Sequence, residues 1–200
     1  YIGDNTQVTT QNDININAAS VLRSNSEALG GTFGGLSVGA YISTANLSPT
    51  VNSFIGKDSD IKSGGNIIIA ADHNSNLFDN AIKARSTAAV GTLIGGIGAK
   101  ANSNVDANIN SYIGENTGLD AANDLQISVN SRNYANSDAN AKAYGVAAVG
   151  YTEAKNTITN NSSAYIKGDT NDYTSSKLIK ANNIKIMANA NNNTATNSTA

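Results

Sequence analysis

Few side chains in this sequence could do chemistry, and His73 is the first to consider. It is the only histidine, the chain has no cysteine, and Asp72 is the one potential metal ligand beside it. A zinc site needs clustered ligands, and a catalytic triad needs an acid and a nucleophile around its histidine. Neither is predicted here, and we expect His73 to be an exposed loop residue that follows Ala71.

Two acidic segments could bind calcium. They are Asp58-Ser59-Asp60 and the stretch from Asp169 to Asp172. Neither has the glutamate that closes a twelve-residue calcium loop, and the calcium-binding nonapeptide Gly-Gly-x-Gly-x-Asp is missing. Because Asp is common in turns, a turn or a solvated edge is the favoured interpretation, and calcium is the alternative.

Enzymes built on β-helices gather several carboxylates with a base in one groove, whereas Asp60, Asp79 and Asp106 are widely spaced. The pairs Gly34-Gly35 and Gly95-Gly96 are not phosphate loops, because no Gly-Lys-Ser or Gly-Lys-Thr follows them. We expect both pairs to be bends or sites of close backbone packing. The sequence therefore predicts no catalytic, cofactor-binding or metal-binding residues, no cofactor and no enzymatic activity.

The composition also limits the partners. Charged residues make up 14% of the 200 residues, and the net charge is -2. Lys and Arg are sparse and scattered, so no nucleic-acid partner is predicted. There is no basic amphipathic helix, and the longest apolar stretches, such as residues 67–71, are too short to span a bilayer. We therefore expect no membrane insertion by this segment.

Internal repeats provide the strongest signal. An aromatic–Ile–Gly block, or a close relative of it, begins at Tyr1, Phe54, Tyr112 and Tyr165. A second block, of the Ile14-Asn15-Ile16-Asn17-Ala18 type, follows each of the first and places Ile14, Ile67, Leu125 and Ile184 at equivalent positions. We predict one continuous array with units 1–53, 54–111, 112–164 and a partial 165–200. Tyr1 falls inside a motif, so we expect the chain to be a segment of a longer array.

Within each unit, apolar and polar residues alternate with a period of two. The clearest run contains Ile97, Val105 and Ile109 on one face and Lys100, Asn104 and Asn108 on the other. This is strand alternation, but the run is too long for one ordinary strand. It predicts an all-β fold in which the chain turns corners while one face stays inward, which is a parallel β-helix, or β-solenoid.

The second unit divides into three coils of nearly twenty residues, 54–74, 75–91 and 92–111. This division predicts about ten coils for the whole chain and a rod roughly 45 Å long, with coils about 4.8 Å apart. Ile14, Ile67, Leu125 and Ile184 would then share a core file with other coils between them. Asn12, Asn66 and Asn123 are expected to form part of an amide ladder at a bend.

At these blocks the sequence resembles the large repetitive filamentous adhesins of type V secretion, the filamentous-haemagglutinin-like and leukotoxin-like exoproteins. The features that carry the resemblance are the Ile14–Ala18 strand, the Gly95-Gly96-Ile97-Gly98-Ala99 segment and the alternation rich in Asn, Ser and Ala. The resemblance implies a right-handed parallel β-helical shaft, an outer-membrane translocation partner, and a location outside the cell or on its surface. It implies no catalytic residues.

The expected function is therefore a structural or adhesive stalk segment of a secreted or surface-displayed bacterial adhesin. Its partners would be a host cell-surface or matrix receptor, or other bacterial cells. The shaft of a secreted cytotoxin is the first alternative, and a β-helical glycan-active enzyme is the second. The segment from Asp169 to Ser176 is the most variable feature of the array, and Tyr173 within it is the expected contact residue.

Overall fold

The computed structural model describes residues 1–76, 81–168 and 177–200. Every regular element in these ranges is a β-strand. The strands are β1 (Gln7–Thr10), β2 (Ile14–Ser20), β3 (Ser24–Leu47), β4 (Thr50–Ile55), β5 (Asp60–Ser63), β6 (Ile67–His73), β7 (Ile82–Ile113), β8 (Gly118–Ala121), β9 (Leu125–Ile166), β10 (Ile179–Lys180) and β11 (Ile184–Thr199). The all-β prediction is confirmed.

The strands form two sheets, and all the strand pairs are parallel. A small sheet has the order β1-β5-β8-β10. A large sheet has the order β2-β6-β9-β7-β3, with β4 also paired to β7 and β11 to β9. Parallel pairing over successive stretches of chain stacks one layer on the next, an arrangement compatible with a β-helix.

The stacking unit is a whole repeat, so the prediction of about ten coils is wrong. Ile14 pairs with Ile67, Ile67 pairs with Leu125, and Leu125 pairs with Ile184, with no coil between them. Coils of twenty residues would give partners twenty residues apart, whereas these partners are 53, 58 and 59 residues apart. The chain therefore forms three layers and part of a fourth, which gives a stack roughly 15–19 Å thick at about 4.8 Å per layer.

The predicted division between inward and outward residues is confirmed. Ile67, Ile69 and Ile109 are fully buried, and Ile97 and Val105 are almost fully buried. Lys100, Asn104 and Asn108 alternate with them and lie on the outer face, half-buried or exposed. A period of two therefore assigns the faces correctly along β7, although it does not show where the chain folds back.

Each layer has a wide base and a narrow arm. The base is filled by large side chains between the small sheet and β2, β6 and the start of β9, including Ile55, Ile67 and Leu125. The arm is a long strand that runs out and returns: in β3, residues 24–33 lead out and residues 36–47 lead back. Its interior holds mainly small residues such as Ala84, Ala88 and Ala99, which let the two walls approach closely.

Serine hydroxyls join the two walls of the arm. Ser43 Oγ donates to Ser26 Oγ at 3.0 Å, and Ser86 Oγ donates to the Tyr41 carbonyl at 2.7 Å. Ser103 Oγ donates to the Asn136 carbonyl at 2.8 Å. Buried hydroxyls need partners, so these bonds make serine tolerable inside and fix the separation of the walls.

The aromatic–Ile–Gly block forms one corner of every layer. The rings of Tyr1, Phe54, Tyr112 and Tyr165 stack face to face with centroids 4.8, 5.0 and 5.2 Å apart and interplanar angles of 3–6°. A Cβ on Gly114 would lie 2.6 Å from the Lys57 nitrogen. The second and third layers therefore require glycine at this corner, whereas the fourth layer has Lys167 at the aligned position.

The predicted ladder of Asn12, Asn66 and Asn123 is wrong by one position. Asn66 aligns with Asp13 and Asp124 instead, because Ile14, Ile67 and Leu125 set the register. The column that forms is Asp13, Asn66, Asp124 and Asn183. Asn66 Nδ2 donates to Asp13 Oδ1 at 3.2 Å, and Asn183 Nδ2 donates to Asp124 Oδ1 at 2.8 Å. Asp and Asn alternate, so no two carboxylates are direct neighbours.

Candidate functional site

His73 is not the exposed loop residue that the sequence predicts. It is the last residue of β6, it is fully buried, and it lies in register between Ser20 and Ser131. The physical reason is its parity: Ile67, Ile69, Ala71 and His73 all face inward because they are two residues apart. The two-residue spacing from Ile69 and Ala71 was visible in the sequence and indicated an inward position, but the polarity of histidine led to the prediction of a loop.

The environment of His73 suits a neutral structural imidazole. Its Nδ1 is 2.7 Å from Ser20 Oγ, and its Nε2 has no hydrogen-bond partner among the described residues. Burial lowers the pKa of His73 below 6.5. The neighbouring Asp72 faces outward and accepts a hydrogen bond from Asn130 at 2.9 Å, so it does not orient the ring. Among the described residues, the Ser20–His73 pair therefore lacks the acid that orients the histidine of a triad.

The acidic residues that the structure describes are dispersed. Asp58 lies in a turn with a φ of 57° and accepts a hydrogen bond from Asn116 at 2.9 Å. Asp60 begins β5 and pairs with Lys177 at 3.0 Å, and Asp106 is exposed on β7. Asp79 and the segment from Asp169 to Ser176, with Tyr173, lie outside the described residues. In the described ranges, no three His, Cys, Asp or Glu side chains come together as a metal site.

A shallow depression lies on the outer face of the small sheet. Lys62, Asp120 and Lys180 occupy one row of that sheet, and Lys62 pairs with Asp120 at 3.9 Å. Lys177 pairs with Asp60 across the same surface. The charges alternate in sign, and the three lysines exceed the two aspartates by only one, so the depression does not single out a charged ligand.

The two glycine pairs lie at the ends of the arms, where the sequence predicts bends. Thr92 helps to close the bend in the second layer, because its Oγ1 donates to the Ile94 carbonyl at 2.8 Å and lies 3.2 Å from the Gly35 carbonyl of the first layer. A Cβ on Gly95 would collide with the Ser37 carbonyl oxygen. This glycine is therefore required by close packing between layers.

The arm ends carry a concentrated set of exposed apolar side chains. In the described chain, eighteen large hydrophobic residues are exposed, and eleven of them lie at the arm ends. They are therefore concentrated in this part of the molecule rather than spread over its surface. We call the surface that these eleven form the apolar edge, and it consists of Leu29, Phe33, Leu36, Val38, Ile42, Leu93, Ile94, Tyr144, Val146, Val149 and Tyr151. Sequence reasoning missed it, because the Gly- and Ala-rich part was interpreted only as shaft. The available signal was Leu29, Phe33 and Val38 at outward parity.

Charged residues begin at the base of the apolar edge, where Ile42 shares its row with Lys100 and Glu153 and Leu29 lies one row beyond Lys142. Lys100 pairs with Glu153 at 2.9 Å, and the hydrogen bond from Lys100 lowers the pKa of Glu153. Further from the tip, Arg85 lies 3.7 Å from Glu27 and 3.8 Å from Asp138. The edge thus ends in a band where most charges have a partner.

Comparison with known proteins adds no identity. No protein-family model, no curated protein and no solved structure matches this chain. The part of the chain that the structure describes contains no helix long and apolar enough to cross a membrane. The likeness to filamentous adhesins therefore rests on the repeated sequence pattern alone.

Proposed function

We propose that this chain is a non-catalytic stalk segment of a secreted or surface-displayed bacterial adhesin, and that its fold is a right-handed parallel β-solenoid. The observation that carries the proposal is the unbroken register of the ladders. Between β7 and β9, 31 residue pairs run from Ile82–Ala135 to Ile113–Ile166, and every pair has the same offset of 53 residues. Leu93 is the one position of β7 outside this series. Such a stack extends by adding identical layers, which is what a shaft requires.

The side chains that face outward support a mechanical role. Asn104 donates to Asn46 at 2.9 Å, Asn110 donates to Asn52 at 3.0 Å, and Asn189 donates to Asn130 at 3.1 Å. These bonds run along the stacking direction: the first two join the second layer to the first, and the third joins the fourth layer to the third. Together with the backbone ladders, they hold the layers without disulfides, which the chain cannot form because it has no cysteine.

In this proposal the parent protein reaches the cell exterior through an outer-membrane translocation partner. There it binds a host receptor, the extracellular matrix or other bacterial cells. The shaft of a secreted cytotoxin would use the same stack and would differ in modules elsewhere in the parent. The dispersed carboxylates and the buried His73 give no reason to prefer a glycan-active enzyme.

The test is attachment by cells that display the parent protein, with and without the unit 54–111. A stalk unit only spaces other parts, so we expect attachment to be retained when one unit is removed and surface display is equal. Loss of attachment at equal display would contradict the stalk role. In parallel, the 200-residue chain should release no product from a panel of glycans and esters, and turnover in that panel would establish an enzyme instead.

A further inference from the structure

The apolar edge is exposed because of its place in the fold. Leu93 is 62% exposed and Ile94 is 60% exposed. Both belong to β7, which has β3 on one side and β9 on the other, with Ile94 aligned between Leu36 and Ala147. Leu93 and Ile94 therefore stay exposed although their layer lies in the middle of the stack, and with the exposed residues of the layers on either side they form a contiguous apolar patch. Large exposed apolar patches mark interaction surfaces.

We propose that the apolar edge docks onto the surface of a lipid bilayer that contains anionic lipids. This goes beyond the stalk role and does not depend on it. It also revises the expectation from the sequence that the segment makes no membrane insertion. The proposal concerns shallow insertion of the arm ends rather than a span.

The shape of the edge favours a fluid partner. Leu29 and Phe33 lie on the outgoing leg of β3, Val38 and Ile42 lie on its returning leg, and Leu36 lies at the apex between them; all five are exposed. Apolar side chains therefore cover two opposite faces and the tip. A flat protein partner would cover one face and leave the other in water, whereas the acyl and headgroup boundary of a bilayer would surround all three.

The depth of the uncharged zone fits that boundary. The rows that contain Phe33 and Val38 hold only apolar residues and glycine across three layers. On the outgoing leg the first charge is Lys142, in the next row down, and Leu29 lies beyond it. On the returning leg the first charges are the Lys100–Glu153 pair, in the row of Ile42. Two to four residues at about 3.3 Å each give a zone roughly 7–13 Å deep. Interfacial insertion reaches about 5–10 Å, and a lysine at the border can extend its amine back to the headgroups.

Aromatic residues lie at the level where a membrane interface would place them. Tyr144 and Tyr151 are 62% and 63% exposed, and Tyr151 lies in the row next to Lys100–Glu153. Tyrosine has an apolar ring and a polar hydroxyl, so it concentrates at the headgroup level of membranes. The two tyrosines lie between the apolar residues of the tip and the first charged rows of the arm.

The charge of the arms favours anionic lipid. The arm segments 24–47, 82–105 and 135–158 contain five Lys or Arg and three Asp or Glu, a net charge of +2. The whole chain has a net charge of -2, so the remainder carries -4. Anionic headgroups would therefore attract the arm ends and repel the rest of the molecule, which orients the edge toward the bilayer.

Vesicle flotation tests the proposal. The 200-residue protein is mixed with vesicles of phosphatidylcholine alone or with roughly one-third phosphatidylglycerol. We expect flotation with the anionic vesicles and weaker flotation with the neutral ones. The variant Leu93→Ser with Val146→Ser should bind at least about tenfold more weakly, because burying each apolar side chain contributes more than tenfold in affinity. The matched control is Val21→Ser with Leu178→Ser, which removes two exposed apolar side chains away from the edge and should bind normally.

A fluorescent reporter keeps the test decisive if the serine variant does not fold. The chain has no tryptophan, so Leu93→Trp adds a single probe at the tip. Its emission should shift to the blue on anionic vesicles and be quenched by brominated lipid. Absence of flotation and of the shift would overturn the proposal, and so would equal losses in the edge variant and its control. Self-association that Leu93→Ser with Val146→Ser abolishes, without vesicle binding, would show that the edge contacts a second copy instead.

Discussion

Ile69 is the residue at which the inward assignment has its largest energetic consequence. It is fully buried between Ile16 and Ile127, whereas its neighbour Ile68 is half-buried on the outer face. Ile69→Asp places an unpaired charge in an apolar interior and should lower the free energy of unfolding by about 3–5 kcal/mol. Ile68→Asp should cost about 1 kcal/mol or less. Chemical denaturation of both variants measures the difference, and equal losses would refute the assignment of faces.

His73 gives the stack a dependence on pH. Burial lowers its pKa in the folded state below 6.5, its value in the unfolded chain. As pH falls below 6.5, the unfolded chain therefore takes up a proton before the folded one does, and the stability is lost progressively until the folded-state pKa is passed. Above pH 6.5 this contribution is fully retained.

We expect the melting temperature of the protein to fall between pH 7.5 and pH 5, and His73→Gln to flatten that slope. Among the described residues, Ser20 and Ser131 align with His73 in the adjacent layers and Asp72 points outward, so none of these three places a charge on the ring that would reverse the sign. A slope that is unchanged in His73→Gln would assign the pH dependence to other residues.

At the scale of elements, the Asp/Asn column shows how polar residues stack on the outer face. Asn66 lies between Asp13 and Asp124 and bonds to both. Asn66→Asp would place three carboxylates about 4.8 Å apart and remove an amide donor, which should cost about 1–2 kcal/mol at neutral pH. The repulsive part of the loss should shrink at high salt, which screens charges on the outer face.

The matched control is Asn46→Asp. Its ladder partner is Asn104, whose amide already donates to position 46, so the new carboxylate keeps a donor and gains no acidic neighbour. Thermal melts of both variants at neutral pH, at low and at high salt, measure the difference. Equal destabilisation of the two at neutral pH would show that carboxylate stacking is not the cause.

The elements also show what the sequence could predict. Period-two alternation identified the strands, and the repeat placed Ile14, Ile67, Leu125 and Ile184 in one core file. The prediction put other coils between these residues, whereas the structure pairs them directly. Alternation could not give the length of a layer, because it records which side of a wall a residue faces but not where the wall folds back. The error at Asn12 is local: equivalent blocks were aligned by residue type, whereas the isoleucines fix the register one position away.

The candidate site was less predictable. The apolar edge forms only when three arm ends come into register, so Leu36, Ile94 and Val149 look like isolated residues in the sequence. His73 was recoverable from its spacing to Ile69 and Ala71, but a lone histidine carries a strong expectation of exposure. Within a strand, the odd or even position of a residue relative to its buried neighbours predicts its burial better than its polarity does.

For the whole molecule, the match between repeat and layer predicts which deletions the fold accepts. Removing residues 54–111 would bring Ile14 into register with Leu125 and Leu47 into register with Ile158, so these large inward residues keep apolar partners. We expect this variant to fold with one layer fewer and to melt cooperatively.

Removing residues 54–110 instead leaves Ser111 after Ser53. That one-residue shift turns Tyr112 inward and Ile113 outward in a strand where Ile113 is fully buried. Because a one-residue slip moves every following side chain to the other face, this variant should be less stable than the longer deletion. Circular dichroism melts of the two proteins make the comparison, and equal stability would show that the layers do not have to keep their register.

Because each repeat forms one layer, the repeat length determines how many residues are needed to extend the stack by a given distance. Each layer uses 53–59 residues and raises the stack by one strand spacing of about 4.8 Å, or about eleven or twelve residues for each ångström. A projection of about 100 Å would need roughly twenty-one layers, on the order of 1,100 residues. A cell that built long appendages from this unit would synthesise and export very large polypeptides, and most of the added mass would widen the lateral surface that meets its surroundings rather than extend the distance reached.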